Sequence, residues 1–262
     1  IQYAREVENA VILDFRNIDF DLKQVIVPQS KDDTNIYEVA ISKDVLARFV
    51  DQSILFFVEN KDKHFYANCD LPNAVFISEN NRNNVYHKVR STGLKGIVDR
   101  DFLSDDDIAQ IAKQYKGLFI LPYYSVESFL YHPDNLEKYY TANGKSFDKV
   151  AYIEKIRKEK NLIKDQIIPS LALKRTEYPY FGEPDYNGFE FQERFKNKEA
   201  NQTQSQIISS YLESNEFEEF YKVLPMKTYC TTIEERQNIS KIDLSKTDWF
   251  INQIKKIVGK SA

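Results

Sequence analysis

Three carboxylates at the ends of two apolar runs are the residues of this chain best suited to chemistry. Asp99 and Asp101 stand one residue apart in Leu94-Lys95-Gly96-Ile97-Val98-Asp99-Arg100-Asp101-Phe102, and Glu59 closes the run Ser53-Ile54-Leu55-Phe56-Phe57-Val58-Glu59. An extended chain alternates its side chains, so Asp99 and Asp101 share a side if the strand persists through Arg100. Two carboxylates held so close repel each other and lose hydration, which gives stability alone little reason to place them there. Hard oxygen donors of this kind suit Mg²⁺ or Mn²⁺, and such a cation would relieve the repulsion. Taken by itself, the pair also reads as a solvated Asp-Arg-Asp turn. A divalent ion on these acids would polarise a phosphoryl oxygen and lower the pKa of bound water, the two demands of phosphodiester hydrolysis. Arg100, between the acids, can either grip a phosphate or pair with its neighbours.

The elements that must position these acids follow from the hydrophobic pattern. Runs that are apolar on both faces and too short for a buried helix predict central strands of a parallel sheet covered on both sides. Ligands of such sheets bind beyond the carboxyl ends of the strands, so Glu59 and the Asp99/Asp101 pair are expected on one rim. Between them the spacing predicts a helix over 61–68, a strand over 74–77, a turn over 78–83 and a helix over 84–90. Ser104 is expected to cap a helix reaching Gln114, with Asp105, Asp106 and Asp107 as dipole-favoured residues of its first turn. A strand over 117–122 comes next, and strands alternating with helices of this length predict a doubly wound α/β arrangement. Glu127, at the start of the following helix, is either a further ligand or an ordinary N-terminal helix acid.

Upstream, residues 1–52 read as strand-like segments over 10–15, 24–28 and 36–41 and a short helix over 44–49, leading into a core over 53–140. Residues 141–262 form a largely helical C-terminal portion. There Val150, Ile153, Ile156, Ile163, Ile167, Leu171 and Leu173 recur at helical spacing, with Pro169 marking a kink or break. The interleaved Lys and Arg residues of this stretch, Lys160 among them, read as a solvated face or as a surface for phosphates. A loop is expected over 177–188, and helical patterning resumes at Gln206.

Composition narrows the classes. The chain has 262 residues, 42% hydrophobic and 29% charged, which is enough for one large core and argues against wholesale disorder. With only 7 glycines it carries neither a P-loop nor a dinucleotide fingerprint. Cys69 and Cys230 match no zinc spacing, and two cysteines in all fit a reducing, cytoplasmic setting. No stretch approaches the roughly 20 apolar residues of a membrane span, so no membrane partner is expected. A formal net charge of -4 weighs against coating nucleic acid by bulk charge and leaves room for a local basic groove. His64, His87 and His132 are scattered and read as core or surface residues.

With these residues in place, a family resemblance emerges. Leu55-Phe56-Phe57-Val58-Glu59-Asn60-Lys61-Asp62 resembles the FVEGxxD opening of TOPRIM domains, and Gly96-Ile97-Val98-Asp99-Arg100-Asp101 resembles their DxD motif. The chain is most similar to a subgroup with a GIVDRDF signature and a later xxIEN helix start, matched by Ser125-Val126-Glu127-Ser128. The likeness covers roughly residues 50–140, and Asn60 stands where the family has glycine. It implies a TOPRIM-like, mostly parallel sheet flanked by helices, with Mg²⁺ or Mn²⁺ as cofactor. Glu59 would be general acid/base or ligand, Asp99 and Asp101 ligands, and Glu127 an additional carboxylate. Leu224-Pro225-Met226-Lys227 resembles an LPGK segment of the subgroup, which implies Lys227 as a phosphate or transition-state contact, a surface lysine being the alternative, and Arg82-Asn83-Asn84-Val85 resembles a loop bordering the site, with Arg82 as a further phosphate contact. Members are encoded beside, or fused behind, an ABC-type ATPase in bacterial anti-phage systems. The implied activity is therefore a toxic endonuclease acting on RNA, tRNA included, or DNA under control of the ATPase, alone or as a homodimer. The rival expectation is a non-catalytic module of the same fold that docks on the ATPase as sensor or scaffold.

Overall fold

The computed structural model describes residues 54–177 and 198–259, apart from 229, 231 and 232. The strand-like segments and helix expected within 1–52, and the loop expected over 178–188, lie outside the described residues. Four strands form the sheet: β1 (Ile54–Glu59), β2 (Ala74–Glu79), β3 (Lys95–Val98) and β4 (Leu118–Ile120). They are all parallel and lie in the order β2-β1-β3-β4. Leu55, Phe56, Phe57 and Val58 are all buried, as are Gly96, Ile97 and Val98, which is the double-sided cover that their unbroken apolar runs require. Among the described residues β2 and β4 form the edges of this sheet, and Val75 of β2 is exposed.

The helices between the strands are short. α1 (Lys63–Tyr66) continues into a 3₁₀ turn over Ala67–Cys69, α2 (Arg82–Thr92) crosses from β2 to β3, and α3 (Asp105–Gln114) joins β3 to β4. α2 begins two residues earlier than the pattern predicts because the Asn81 side chain accepts a hydrogen bond from Asn84 N and caps it. β2 correspondingly runs on to Glu79, so the expected turn over 78–83 shrinks to its middle. α3 begins as expected: Ser104 Oγ accepts from Asp107 N while Asp107 accepts from Ser104 N, a reciprocal capping box. Where α2 lies on β3 there is no room for a side chain at Gly96. A Cβ there would meet the Val89 and Val85 methyls at 2.6 and 2.7 Å.

Beyond the sheet come α4 (Val126–Leu130), α5 (Pro133–Ala142), α6 (Lys149–Glu177), α7 (Lys198–Glu213), α8 (Phe217–Tyr221), α9 (Glu234–Asn238), α10 (Lys241–Leu244) and α11 (Asp248–Gly259). α6 is one helix of 29 residues that passes through Pro169 without a break. Tyr152, Ile156, Ile167 and Leu171 are buried in it, whereas Val150 and Leu173, which share the helical spacing, are exposed. Lys160 departs from the solvated face expected of its neighbours. It is buried, donates to Leu212 O at 2.5 Å and lies 4.7 Å from the Phe220 ring centroid, so a backbone acceptor and an aromatic face replace water around its ammonium. α7 starts at Lys198, upstream of the Gln206 at which apolar periodicity becomes visible. Buried side chains of the sheet and of these helices form one continuous hydrophobic cluster, which holds the helical portion against the strands. No helix among the described residues is long and apolar enough to cross a membrane.

The tight fit at Gly96 generates a prediction. Gly96→Ala forces the valine methyls of α2 to shift and should destabilise the fold by about 1–3 kcal/mol, read as a lower midpoint in urea. An unchanged midpoint would show that α2 is not seated on β3 as described.

Candidate metal centre

The order β2-β1-β3-β4 puts a topological switch point between β1 and β3. The connection leaving β1 runs to one side of the sheet and the connection leaving β3 runs to the other, which opens a crevice at the carboxyl ends of these two strands. Glu59 is the last residue of β1 and Asp99 follows β3 directly. The two meet there: Glu59 Oε1 accepts a hydrogen bond from Asp99 N at 3.0 Å. Asp99 Oδ1 in turn accepts from Val126 N, at the start of α4, at 2.9 Å. One chain of carboxylates therefore ties β1, β3 and α4 together.

Asp101 reaches the same rim by another route than strand alternation. The extended conformation ends at Val98, and Asp101 lies at φ 49°, in the left-handed region that aspartate tolerates better than most residues. Asp101 N donates to Tyr124 O at 2.7 Å, and Asp101 Oδ2 pairs with Arg82 Nη1 at 3.0 Å. Asn60, which stands in place of the glycine of the FVEGxxD pattern, is also left-handed, at φ 46°, and its N–H donates to Glu79 O at 2.6 Å. Asparagine supplies that geometry without a glycine.

The expectation that Arg100 grips a phosphate is corrected. Its side chain turns away from the rim and is only 2% exposed. Arg100 Nε donates to Leu103 O at 3.0 Å, Nη1 donates to Pro122 O at 3.0 Å, and Nη2 pairs with Asp105 Oδ1 at 2.7 Å. Because the chain twists into the left-handed region at Asp101, the side chains of Asp99 and Asp101 stay at the rim while Arg100 anchors the turn from beneath. Asp105 is thereby more than a residue favoured by the helix dipole, since it is paired with Arg100 and with Lys222.

Glu127 and Lys227 also come to this rim. Glu127 is buried, with Oε1 paired to Lys241 Nζ at 2.8 Å and Oε2 accepting from Ser125 Oγ at 2.8 Å. Burial is the largest influence and works against its charge, but Lys241, Lys227 and Ser125 together outweigh it and hold its pKa below the usual carboxylate value. Burial likewise opposes the charge on Lys227, and the attraction of Glu127, Asp99, Asp62 and Asp101 exceeds it, leaving that lysine more basic than usual. Two residues of the cluster were not singled out by sequence: Asp62 and Lys241. Asp62 stands three residues after Glu59, one residue short of the aspartate in FVEGxxD, and its N–H donates to Glu59 O at 3.0 Å. Lys241 has no comparable signal, because α10 is brought to the rim only by the packing of the helical portion.

The acids crowd one another. Burial, and then the charge of Asp101, raise the Glu59 carboxyl to about 7. Burial, then Glu127 and Glu59, raise Asp62 to about 7 as well. Asp99 is held well above the ordinary carboxylate value by burial and by Glu59, Asp101, Asp62 and Glu127. Burial raises Asp101 too, against the opposing pull of Arg82. All five groups are hard oxygen donors, the set that Mg²⁺ and Mn²⁺ prefer. Among the described residues, no group of three or more Asp, Glu, His or Cys side chains is already assembled around a common point. One oxygen each of Glu59, Asp99 and Asp101 is engaged as above, and among the described residues their second oxygens take no hydrogen bond. The donor set thus fits a divalent cation in its chemistry, while its side chains are not gathered around one point. None of the histidines belongs to the cluster's ligand set: His132, for one, is buried and stacked on Trp249 at 4.5 Å.

Comparison of the chain with family models, with curated proteins and with solved structures finds no match.

The crowding has a measurable consequence. Glu59 and Asp62 titrate near 7 in the folded chain and near 4 when unfolded, so the folded state holds extra protons between these values. Their contribution to stability is complete below about pH 4 and is lost as pH rises through 7. A cation can replace those protons, so Mn²⁺ should raise the melting temperature more at pH 8 than at pH 6. Glu59→Gln should raise the metal-free melting temperature at pH 8 and blunt the Mn²⁺ response. Identical Mn²⁺ shifts at both pH values, unaltered in Glu59→Gln, would remove the acid cluster as a cation site.

Proposed function

We propose that this chain is a metal-dependent phosphodiesterase of TOPRIM type, cleaving RNA (tRNA included) or DNA. The observation that carries this reading is the meeting of Glu59 and Asp99 at the β1/β3 switch point, joined by a 3.0 Å hydrogen bond and ringed by Asp62, Asp101 and Glu127. A bound Mg²⁺ or Mn²⁺ supplies charge neutralisation at the phosphoryl oxygen and a more acidic water. The residues that would hold it are Asp99, Asp101 and Glu59, with Glu127 as a further carboxylate once free of Lys241. Glu59, with a pKa of about 7, can give or take a proton at neutral pH, as a general acid/base must. Lys227 brings positive charge toward the acids and is the side chain at this rim best suited to meet a phosphate. Arg82 contributes in another way, by pairing with Asp101 and lying 4.5 Å from the Phe102 ring centroid. The sequence resemblance extends the proposal to biology: a toxic effector of an anti-phage system, restrained or released by an ABC-type ATPase.

A second reading is favoured by two specific contacts. Arg82 neutralises Asp101 and Lys241 neutralises Glu127, so protein cations stand where a metal would otherwise be required. A docking or sensor module on the ATPase would need no more than that.

Cleavage of total tRNA and of plasmid DNA by the purified chain in Mg²⁺ or Mn²⁺, with and without the ATPase, separates the two. The nuclease reading expects cleavage that Glu59→Ala lowers at least about 100-fold, with melting temperature and circular dichroism preserved. Undiminished cleavage by Glu59→Ala, or none by the intact chain with its ATPase, would defeat it.

A further inference from the structure

The outer edge of β4 carries backbone groups that the sheet leaves over. Gly96 N donates to Gly117 O at 2.9 Å, and Leu121 N donates to Val98 O at 3.0 Å. With Gly96 opposite Leu118 and Val98 opposite Ile120, the peptide groups of Gly117, Phe119 and Leu121 therefore face β3. Alternation turns Leu118 O and both backbone groups of Ile120 the other way. Among the described residues these three groups take no hydrogen bond, and no strand lies beyond β4.

A groove of about 790 Å³ follows this edge. Its lining comes from both faces of the sheet, which places it along the edge rather than over a face. Ile108 and Ala112 belong to α3, which lies beside α2 and is tied to it by a 3.0 Å bond between the Tyr86 and Tyr115 hydroxyls. That is the face toward which Gly96 turns. Lys95 and Phe119 point to the opposite face, with Lys95 Nζ 5.9 Å from the Phe119 ring centroid, and Ile257 of α11 joins the lining. The charge of the groove is one-sided. Of the described residues that line it, Asp105 is the only acid, and it is already paired with Arg100 at 2.7 Å and with Lys222 at 3.1 Å. Lys95 and Lys116 make no ion pair with any of the described residues.

We infer that β4 accepts an extended acidic segment of a partner protein as an added strand. Its backbone bonds to Leu118 and Ile120, and its carboxylates meet Lys95 and Lys116. Strand addition of this kind takes affinity from main-chain hydrogen bonds and specificity from pockets for alternate side chains. Here Ile108 and Ala112 offer apolar contact on one face, and Phe119 and Ile257 offer it on the other. Pro122 has no N–H, so the ladder ends there and the docked segment is short. A second copy of this chain is the poorer occupant, because the same edge would bring lysines toward lysines. The β2 edge lacks the imbalance, since Lys63 is offset there by Asp70. The groove shares no residue with the acid cluster and does not depend on the nuclease reading.

The test combines fluorescence anisotropy with amide hydrogen exchange followed by NMR, both on the full chain. The probe is a labelled eight-residue peptide of alternating valine and glutamate, with a valine–lysine peptide of equal length as its counterpart. In the free chain the Ile120 N–H should exchange rapidly while that of Leu121, bonded to Val98 O, is protected. Saturation with the acidic peptide should slow exchange at Ile120 by at least about tenfold and leave Leu121 unchanged. Lys95→Gln/Lys116→Gln should weaken that binding about fivefold, whereas Lys113→Gln, on an exposed α3 residue outside the groove, should match the intact chain. The valine–lysine peptide should not bind. Failure of the acidic peptide to bind, equal binding of the basic one, or binding that leaves Ile120 exchange unaltered would overturn the inference. So would protection of Ile120 in the dilute free chain, which would mean that the chain fills its own edge. Protection that grows with chain concentration in the absence of peptide would assign the edge to a second copy instead.

Discussion

Mutual repulsion among carboxylates at the β1/β3 switch point is the constraint around which this structure is arranged. Glu59, Asp62, Asp99, Asp101 and Glu127 are brought together on one rim, and burial raises the cost of charging every one of them. The fold answers with backbone N–H groups and with cations. Asp99 N and Val126 N each donate to one carboxylate, Arg82 pairs with Asp101, and Lys241 pairs with Glu127. What these do not offset appears as raised proton affinity at Glu59, Asp62, Asp99 and Asp101. A cluster held in that condition keeps protons to higher pH than ordinary carboxylates do.

The helical portion is part of this arrangement. Lys241 comes from α10 and Lys227 from the segment after α8, so two of the cations that face the acids are delivered by elements remote in sequence. Arg175, near the end of α6, donates to Phe102 O at 2.6 Å and steadies the loop that presents Asp101. Tyr221 donates to Ser128 O at 2.9 Å, locking α8 to α4 just beyond Glu127. A strand rim that would repel itself is thus closed by helices that supply the opposite charge.

Much of the sheet was legible in the residues. Unbroken apolar runs at 54–58 and 96–98 mark central strands because both of their faces must be covered, and parallel packing follows from the helices between them. The Ser104 cap and its three following acids were readable because capping depends on neighbours one turn away. Less legible were features that depend on distant partners. Lys160 has the composition of a solvated residue and is buried because Leu212 O and Phe220 happen to face it. Val150 and Leu173 fit the helical period and remain exposed, since periodicity does not report how far a neighbouring helix extends. Arg100 illustrates the same limit at the site: its neighbours in sequence are acids, yet its partners are Leu103 O, Pro122 O and Asp105.

By itself, then, the sequence determined the parallel α/β core, its central strands and the placement of Glu59, Asp99 and Asp101 at their carboxyl ends. These follow from short-range rules: a period of two, a cap within one turn, an apolar run bounded by charge. Tertiary structure alone decided that Asp101 enters through a left-handed turn, that Arg100 faces inward, and that Asp62 and Lys241 join the cluster. Those outcomes depend on which segments meet in space, from Arg82 and Asp101, 19 residues apart, to Glu127 and Lys241, 114 apart, and Coulomb energies between charges depend on distance in space rather than along the chain.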